Sequence, residues 1–133
     1  MHVNRLDHVN IITDRLDETA QFYATLLGLH RRDAPPPLTP ANAQWMHDEN
    51  GQAILHINAV DCPRTYDRAV EPGTVTGAIH HVALTCTGQA ELMERITAMG
   101  LRSKTNHVAA IGLTQVFTTD PNNVLLELNF FGD

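Results

Sequence analysis

Leu6-Asp7-His8-Val9-Asn10-Ile11 returns later in the chain as Ile79-His80-His81-Val82-Ala83-Leu84. Each version is a short apolar run with a histidine third in line, and each leads into a helix-like segment that closes on Gly-Leu. His8 and His81 are 81 − 8 = 73 positions apart, and Gly28-Leu29 and Gly100-Leu101 are 100 − 28 = 72 apart. A near-constant offset over separate features marks an internal repeat.

Working outward, residues 5–12 read as a strand, with Val9 and Ile11 on one face and His8 and Asn10 on the other. Asp14 is the expected N-cap of a helix in which Leu16, Ala20, Tyr23 and Leu27 recur at helical spacing, with Gly28 at its end. His30-Arg31-Arg32-Asp33 begins a second strand. Three prolines at 35–37 and Pro40 make residues 33–42 a stiff loop, read either as a lid or as a plain connection. Gln44-Trp45-Met46 and Ala53-Ile54-Leu55-His56-Ile57 are the next strands, joined by the turn Asp48-Glu49-Asn50-Gly51.

The second copy repeats the order. Residues 79–86 form its first strand. Thr87 is the expected N-cap of a helix with Leu92, Met93, Ile96 and Met99 on one face and Gly100 at its end. A weak strand and turn cover 102–110, followed by strands at 114–118 and 124–130 around the turn Asp120-Pro121-Asn122-Asn123. Ala53–Asn58 lines up with Val124–Asn129 at an offset of 127 − 56 = 71.

The expected organisation is an α+β fold of two tandem βαβββ modules, at 1–60 and 78–133, with a Pro-, Gly- and charge-rich linker at 61–77. About fifty residues are marginal for an independent core. The two copies are therefore expected side by side as one curved mixed sheet, with the helices on the convex face and the concave face open.

Composition narrows the function. A formal charge of −6 argues against nucleic acid or an anionic membrane as partner, because both need a basic face. No apolar run approaches the roughly 20 residues of a membrane span, and the start of the chain has no signal-peptide apolar core, so a cytoplasmic protein is expected. Two cysteines, Cys62 and Cys86, without CxxC spacing point to reduced, inert thiols.

The chemistry falls on equivalent strands. His8 and His81 sit in the first strands of the copies, and His56 and Glu127 in the last strands, among Ile, Leu and Val. An unpaired buried polar group is costly. Three imidazoles and a carboxylate converging from four strands make a reasonable ligand set for a first-row divalent metal. The competing reading of any one strand histidine is a partly buried residue satisfied by hydrogen bonds. His80 alternates away from His81, and His2, His30 and His47 fall at ends and turns. His107, in a loop of the second copy, is a candidate lining residue. Trp45, Asn106, Gln115 and Phe117 are further candidates, with core packing as the competing reading for the two aromatics. Arg64 and Arg68 in the linker are candidates for an anionic substrate group, against a plain solvated linker.

LDHVNIITDRLDETAQFYATLLGL in the first copy, and IHHVALTC with VFTTDPNNVLLELNF in the second, resemble the vicinal oxygen chelate superfamily of glyoxalases, bleomycin-resistance proteins and extradiol dioxygenases. Asn123 stands where that family commonly has glycine, a turn substitution that asparagine tolerates. The resemblance implies a divalent metal (Ni, Zn, Co, Mn or Fe(II)) held by His8, His56, His81 and Glu127. It also implies a small-molecule substrate and a homodimer with sites at the interface. In the glyoxalase I branch the position matching His56 is usually Glu or Gln, so histidine there is a departure. Four ligands on an octahedral metal leave two positions, which suits a glyoxalase-like lyase or isomerase with Glu127, or else His56, as base. Three ligands leave room for a catecholate and O₂, which suits an extradiol dioxygenase. A metal-free drug-binding protein is the third expectation.

Overall fold

The computed structural model describes residues 1, 6, 8–63 and 82–132. The chain divides into two compact units, Met1–Val70 and Glu71–Asp133. Among the described residues, each carries one α-helix and a four-stranded mixed sheet.

In the first unit, β1 (Val9–Thr13) leads into α1 (Leu16–Leu27), then β2 (His30–Asp33), β3 (Ala43–His47) and β4 (Ala53–Ala59). The sheet order is β1-β4-β3-β2, with β1 parallel to β4 and the other pairs antiparallel. In the second unit, β5 (Val82–Cys86), α2 (Gln89–Ala98), β6 (Lys104–Val108), β7 (Leu113–Thr119) and β8 (Leu125–Phe131) repeat that plan as β5-β8-β7-β6. A short 3₁₀ turn at Ala109–Ile111 joins β6 to β7.

The offsets seen in the sequence survive as hydrogen-bond register. Asn10 lies opposite His56 across β1 and β4, and Ala83 lies opposite Glu127 across β5 and β8. Trp45 faces His56 across β3 and β4, as Phe117 faces Glu127 across β7 and β8.

Strand alternation sorts each sheet into two faces. Ile11, Met46, Leu55 and Ile57 are buried on one face of the first sheet, and α1 packs against β2, β3 and β4 with Ala20, Phe22, Tyr23 and Leu26 buried. Each fully buried side chain of that size contributes about 1.5–3 kcal/mol. In the second sheet, Val116, Leu126, Leu128 and Phe130 form the buried face, and α2 buries Leu92 and Ile96. His56 and Glu127 alternate with these residues and so fall on the opposite faces.

Helix starts depart from expectation. The N-cap of α1 is Arg15, not Asp14, and its N–H donates to Thr13 Oγ1 at 3.0 Å. The N-cap of α2 is Gly88, not Thr87, with φ 81° in the left-handed region, where glycine carries no Cβ penalty. The carboxylates that favour the N-terminus of α1 act from inside its first turn, through Asp17 and Glu18. Gly28 does end α1, in the left-handed conformation with φ 70°.

The β3–β4 and β7–β8 turns share one construction. Asp48 Oδ1 accepts from the N–H groups of Asn50 (2.9 Å) and Gln52 (2.8 Å). Asp120 Oδ1 accepts from those of Asn122 (2.7 Å) and Val124 (2.9 Å). The left-handed position is Gly51 in the first turn (φ 80°) and Asn123 in the second (φ 62°), the exchange expected from the sequence.

The proline-rich loop is packed onto its own unit. Leu38 sits with Trp45 on a buried cluster of Ala34, Ala43 and Cys62. Buried Gln44 ties the loop down by donating to Asp33 Oδ1 (2.9 Å) and to the Pro40 carbonyl (3.1 Å), while accepting from Arg31 Nε (2.7 Å).

Candidate active site

His56 lies at the centre of the open face of the first sheet, on β4 between β1 and β3. It is sandwiched. The Trp45 ring stacks on it with centroids 3.9 Å apart and planes 4° apart, and the His8 ring stacks on it at 3.9 Å and 16°. Trp45 reaches this position through register, since it faces His56 directly across the ladder. His8 precedes β1 and is half-buried. The three rings border an open cavity of about 640 Å³, closed on another side by the turn residues Asn50, Gly51, Gln52 and Ala53. That volume suits a small metabolite. Trp45 thus plays both roles considered for it, packing on the Ala34–Ala43–Cys62 cluster and lining the cavity.

Glu127 holds the equivalent place on β8, between β5 and β7. Its Oε1 accepts from Gln115 Nε2 at 2.7 Å and from Asn129 Nδ2 at 3.0 Å. Gln115 Oε1 in turn accepts from Asn106 Nδ2 at 2.9 Å. Gln115 and Asn106, expected as lining residues, therefore form a chain of side-chain amides that ends on the carboxylate. Phe117 is half-buried directly across the ladder from Glu127. His107 departs from expectation. It lies exposed in β6, and its Nδ1 pairs at 3.0 Å with Oγ1 of Thr114, a residue that alternates with Gln115 and Phe117 and so faces away from Glu127. His80, His81, Arg64 and Arg68 lie outside the described residues.

The donor types, imidazole and carboxylate, suit a first-row divalent ion. The ring geometry adds a condition. A ligated imidazole holds its metal in the ring plane at about 2.0–2.1 Å from nitrogen. Planes stacked 3.9 Å apart and 16° from parallel do not meet near the rings, so one ion cannot lie in both. His8 and His56 share an ion only after one ring turns out of the stack. Among the described residues no three His, Cys, Asp or Glu side chains form a ligand group.

The thiols take no part in this chemistry. Burial pushes the Cys86 thiol up to about 11, so it stays protonated at neutral pH, and Cys62 is buried in the apolar cluster under Trp45. Among the described residues, no helix is long and apolar enough to cross a membrane.

Asn129 is the contributor that sequence reasoning passed over. The signal was present, because Asn58 and Asn129 end the two aligned segments, two residues beyond His56 and Glu127. The stacking of His8, His56 and Trp45 left no comparable trace in the sequence.

Solved structures share this architecture. A lactoylglutathione lyase from Agrobacterium tumefaciens is 16% identical with a TM-score of 0.68, covering 96% of this chain and 94% of the other. A glyoxalase/dioxygenase from Nostoc punctiforme is 16% identical with a TM-score of 0.72, covering 98% and 92%. A mutant of the fosfomycin resistance protein FosX from Listeria monocytogenes, complexed with Mn(II) and 1S,2S-dihydroxypropylphosphonic acid, is 19% identical with a TM-score of 0.63, covering 96% and 90%. At these identities the likeness is one of fold. No curated protein matches the chain. The family model of the glyoxalases matches residues 5–128, nearly the whole length, and the chain belongs to the Glyoxalase/Bleomycin resistance protein/Dioxygenase superfamily.

Proposed function

We propose that this protein is a metal-dependent enzyme that chelates two neighbouring oxygens of a small metabolite, as a glyoxalase-like lyase or isomerase. The observation that carries the reading is the equivalence of His56 and Glu127. Two metal-ligating residue types occupy the same register position, on the open faces of two copies of one module. The protein's proposed metal ligands are His8, His56, His81 and Glu127. A bound divalent ion would stabilise the negative charge that develops on the chelated oxygens.

The chain's own residues supply the rest. Glu127 is anchored through Oε1 by Gln115 and Asn129, so it keeps its place while taking a proton from the substrate and returning it. His56, held flat between two rings, is the alternative base. The cavity beside the stack receives the body of the substrate. His8 stands just before β1, and its ring is the one we propose to turn out of the stack to complete the four-ligand set.

The stack also favours a second reading. With His8 and His56 left as they lie, only one of them ligates. Three ligands then remain, and the extra open position suits an extradiol-type dioxygenase.

The test is the metal content of protein purified without chelators, followed by turnover. Nickel, zinc or cobalt with conversion of a hemithioacetal or similar α-oxo compound is expected. Iron with oxygen uptake on catechols would establish the dioxygenase instead. A metal-free protein that binds planar compounds beside Trp45 would overturn both readings in favour of a drug-binding role. The test includes the oligomeric state, since a homodimer with shared sites is part of the proposal.

A further inference from the structure

The second module builds something around its carboxylate that the first does not build around its histidine. Gln115 lies opposite Asn129 in the β7–β8 ladder, and both side chains donate to the same oxygen of Glu127. Asn106 occupies Gln115 Oε1, so Gln115 has only its NH₂ group to offer Glu127. The chain of amides therefore has a direction, and it terminates on one carboxylate oxygen.

The repeat shows that this chain is not required by the fold. At an offset of 115 − 43 = 72, Gln115 corresponds to Ala43, which lies opposite Asn58 just as Gln115 lies opposite Asn129. At 106 − 34 = 72, Asn106 corresponds to Ala34. Ala34 and Ala43 are buried together beneath Trp45. The same backbone positions carry methyl groups where the module presents an imidazole and amides where it presents a carboxylate. Asn58, the counterpart of Asn129, donates to Asn10 Oδ1 at 3.0 Å.

We infer that Gln115 is a positioning residue for Glu127. Backed by Asn106 and joined by Asn129, it fixes the carboxylate plane and so the orientation in which Glu127 meets a divalent ion. Hydrogen bonds to an ionised acceptor are strong and directional, and partners that orient a ligand govern metal affinity. The inference rests on the proposed reading of Glu127 as a ligand.

The test is titration of the full-length protein with Co(II) alone, read by its visible absorption and by competition with a chelator. Gln115→Leu is expected to weaken Co(II) binding about 10- to 100-fold and to alter the Co(II) spectrum. Gln115 is half-buried, so the metal-free melting temperature should drop by no more than about 5 °C. Asn106→Ala, at an exposed position, is expected to give a smaller loss in the same direction and decides the matter if Gln115→Leu does not fold. Wild-type affinity and spectrum in these variants, with binding lost in Glu127→Ala, would overturn the positioning role and leave the proposed function standing. Co(II) binding indifferent to Glu127→Ala would overturn both.

Discussion

The two modules share a backbone plan down to strand register, yet they hold their chemical groups by different physics. In the first, His56 is clamped between the faces of Trp45 and His8. In the second, Glu127 is held by two hydrogen bonds on one oxygen. Stacking fixes a plane while letting a ring slide and turn within it. Hydrogen bonds fix direction. The duplicated scaffold delivers equivalent positions, and the contacts made at each position suit the donor it carries: stacked rings on an imidazole, amide donors on a carboxylate.

This contrast can be broken from either side. The largest effect is expected from Trp45→Ala, which removes one face of the clamp and the cover of the Ala34–Ala43–Cys62 cluster. Full burial of a large aromatic is worth about 3–5 kcal/mol, and for half-buried Trp45 a loss of about 2–3 kcal/mol is expected in urea unfolding.

The turns come next. Asp120 is buried and accepts from two backbone N–H groups and from Asn122 Nδ2, whereas Asp48 is half-buried. Asp120→Ala should cost about 1–3 kcal/mol in the same assay, and Asp48→Ala less, because water can reach the donors left behind. At the left-handed positions, Asn123→Val should lower stability by about 1–2 kcal/mol, while Asn123→Gly should change it little.

The smallest effect concerns Cys86. Its thiol is raised by burial, so the folded protein keeps it protonated below about pH 11. At pH 8 only about one thiolate in a thousand is present. Alkylation by iodoacetamide should be slow there and should accelerate about tenfold per pH unit.

The repeat, the strand–helix–strand–strand–strand order and the turn exchange at Asn123 were legible because each rests on local periodicity or backbone chemistry. The positions of His56 and Glu127 were legible because alternation along a strand assigns faces. The helix caps were not, since Arg15 and Gly88 take the cap positions without a side-chain cap bond, and local composition does not choose between neighbouring residues. The fate of His107 turned on strand register, which periodicity leaves open: one position places it beside Thr114 rather than in the row of Gln115. The stacked rings and the amide chain are contacts between strands, and such contacts become visible only when the ladder is known.

The most direct test of a metal centre built from both modules is a Co(II) affinity cycle with His56→Ala, Glu127→Ala and the double variant. If the two donors hold one ion, each single variant weakens binding by more than about 100-fold, and the double variant loses much less than the two effects combined. Wild-type affinity in Glu127→Ala would contradict a shared centre, as would losses that simply add, whereas wild-type affinity in His56→Ala alone would point to the three-ligand set.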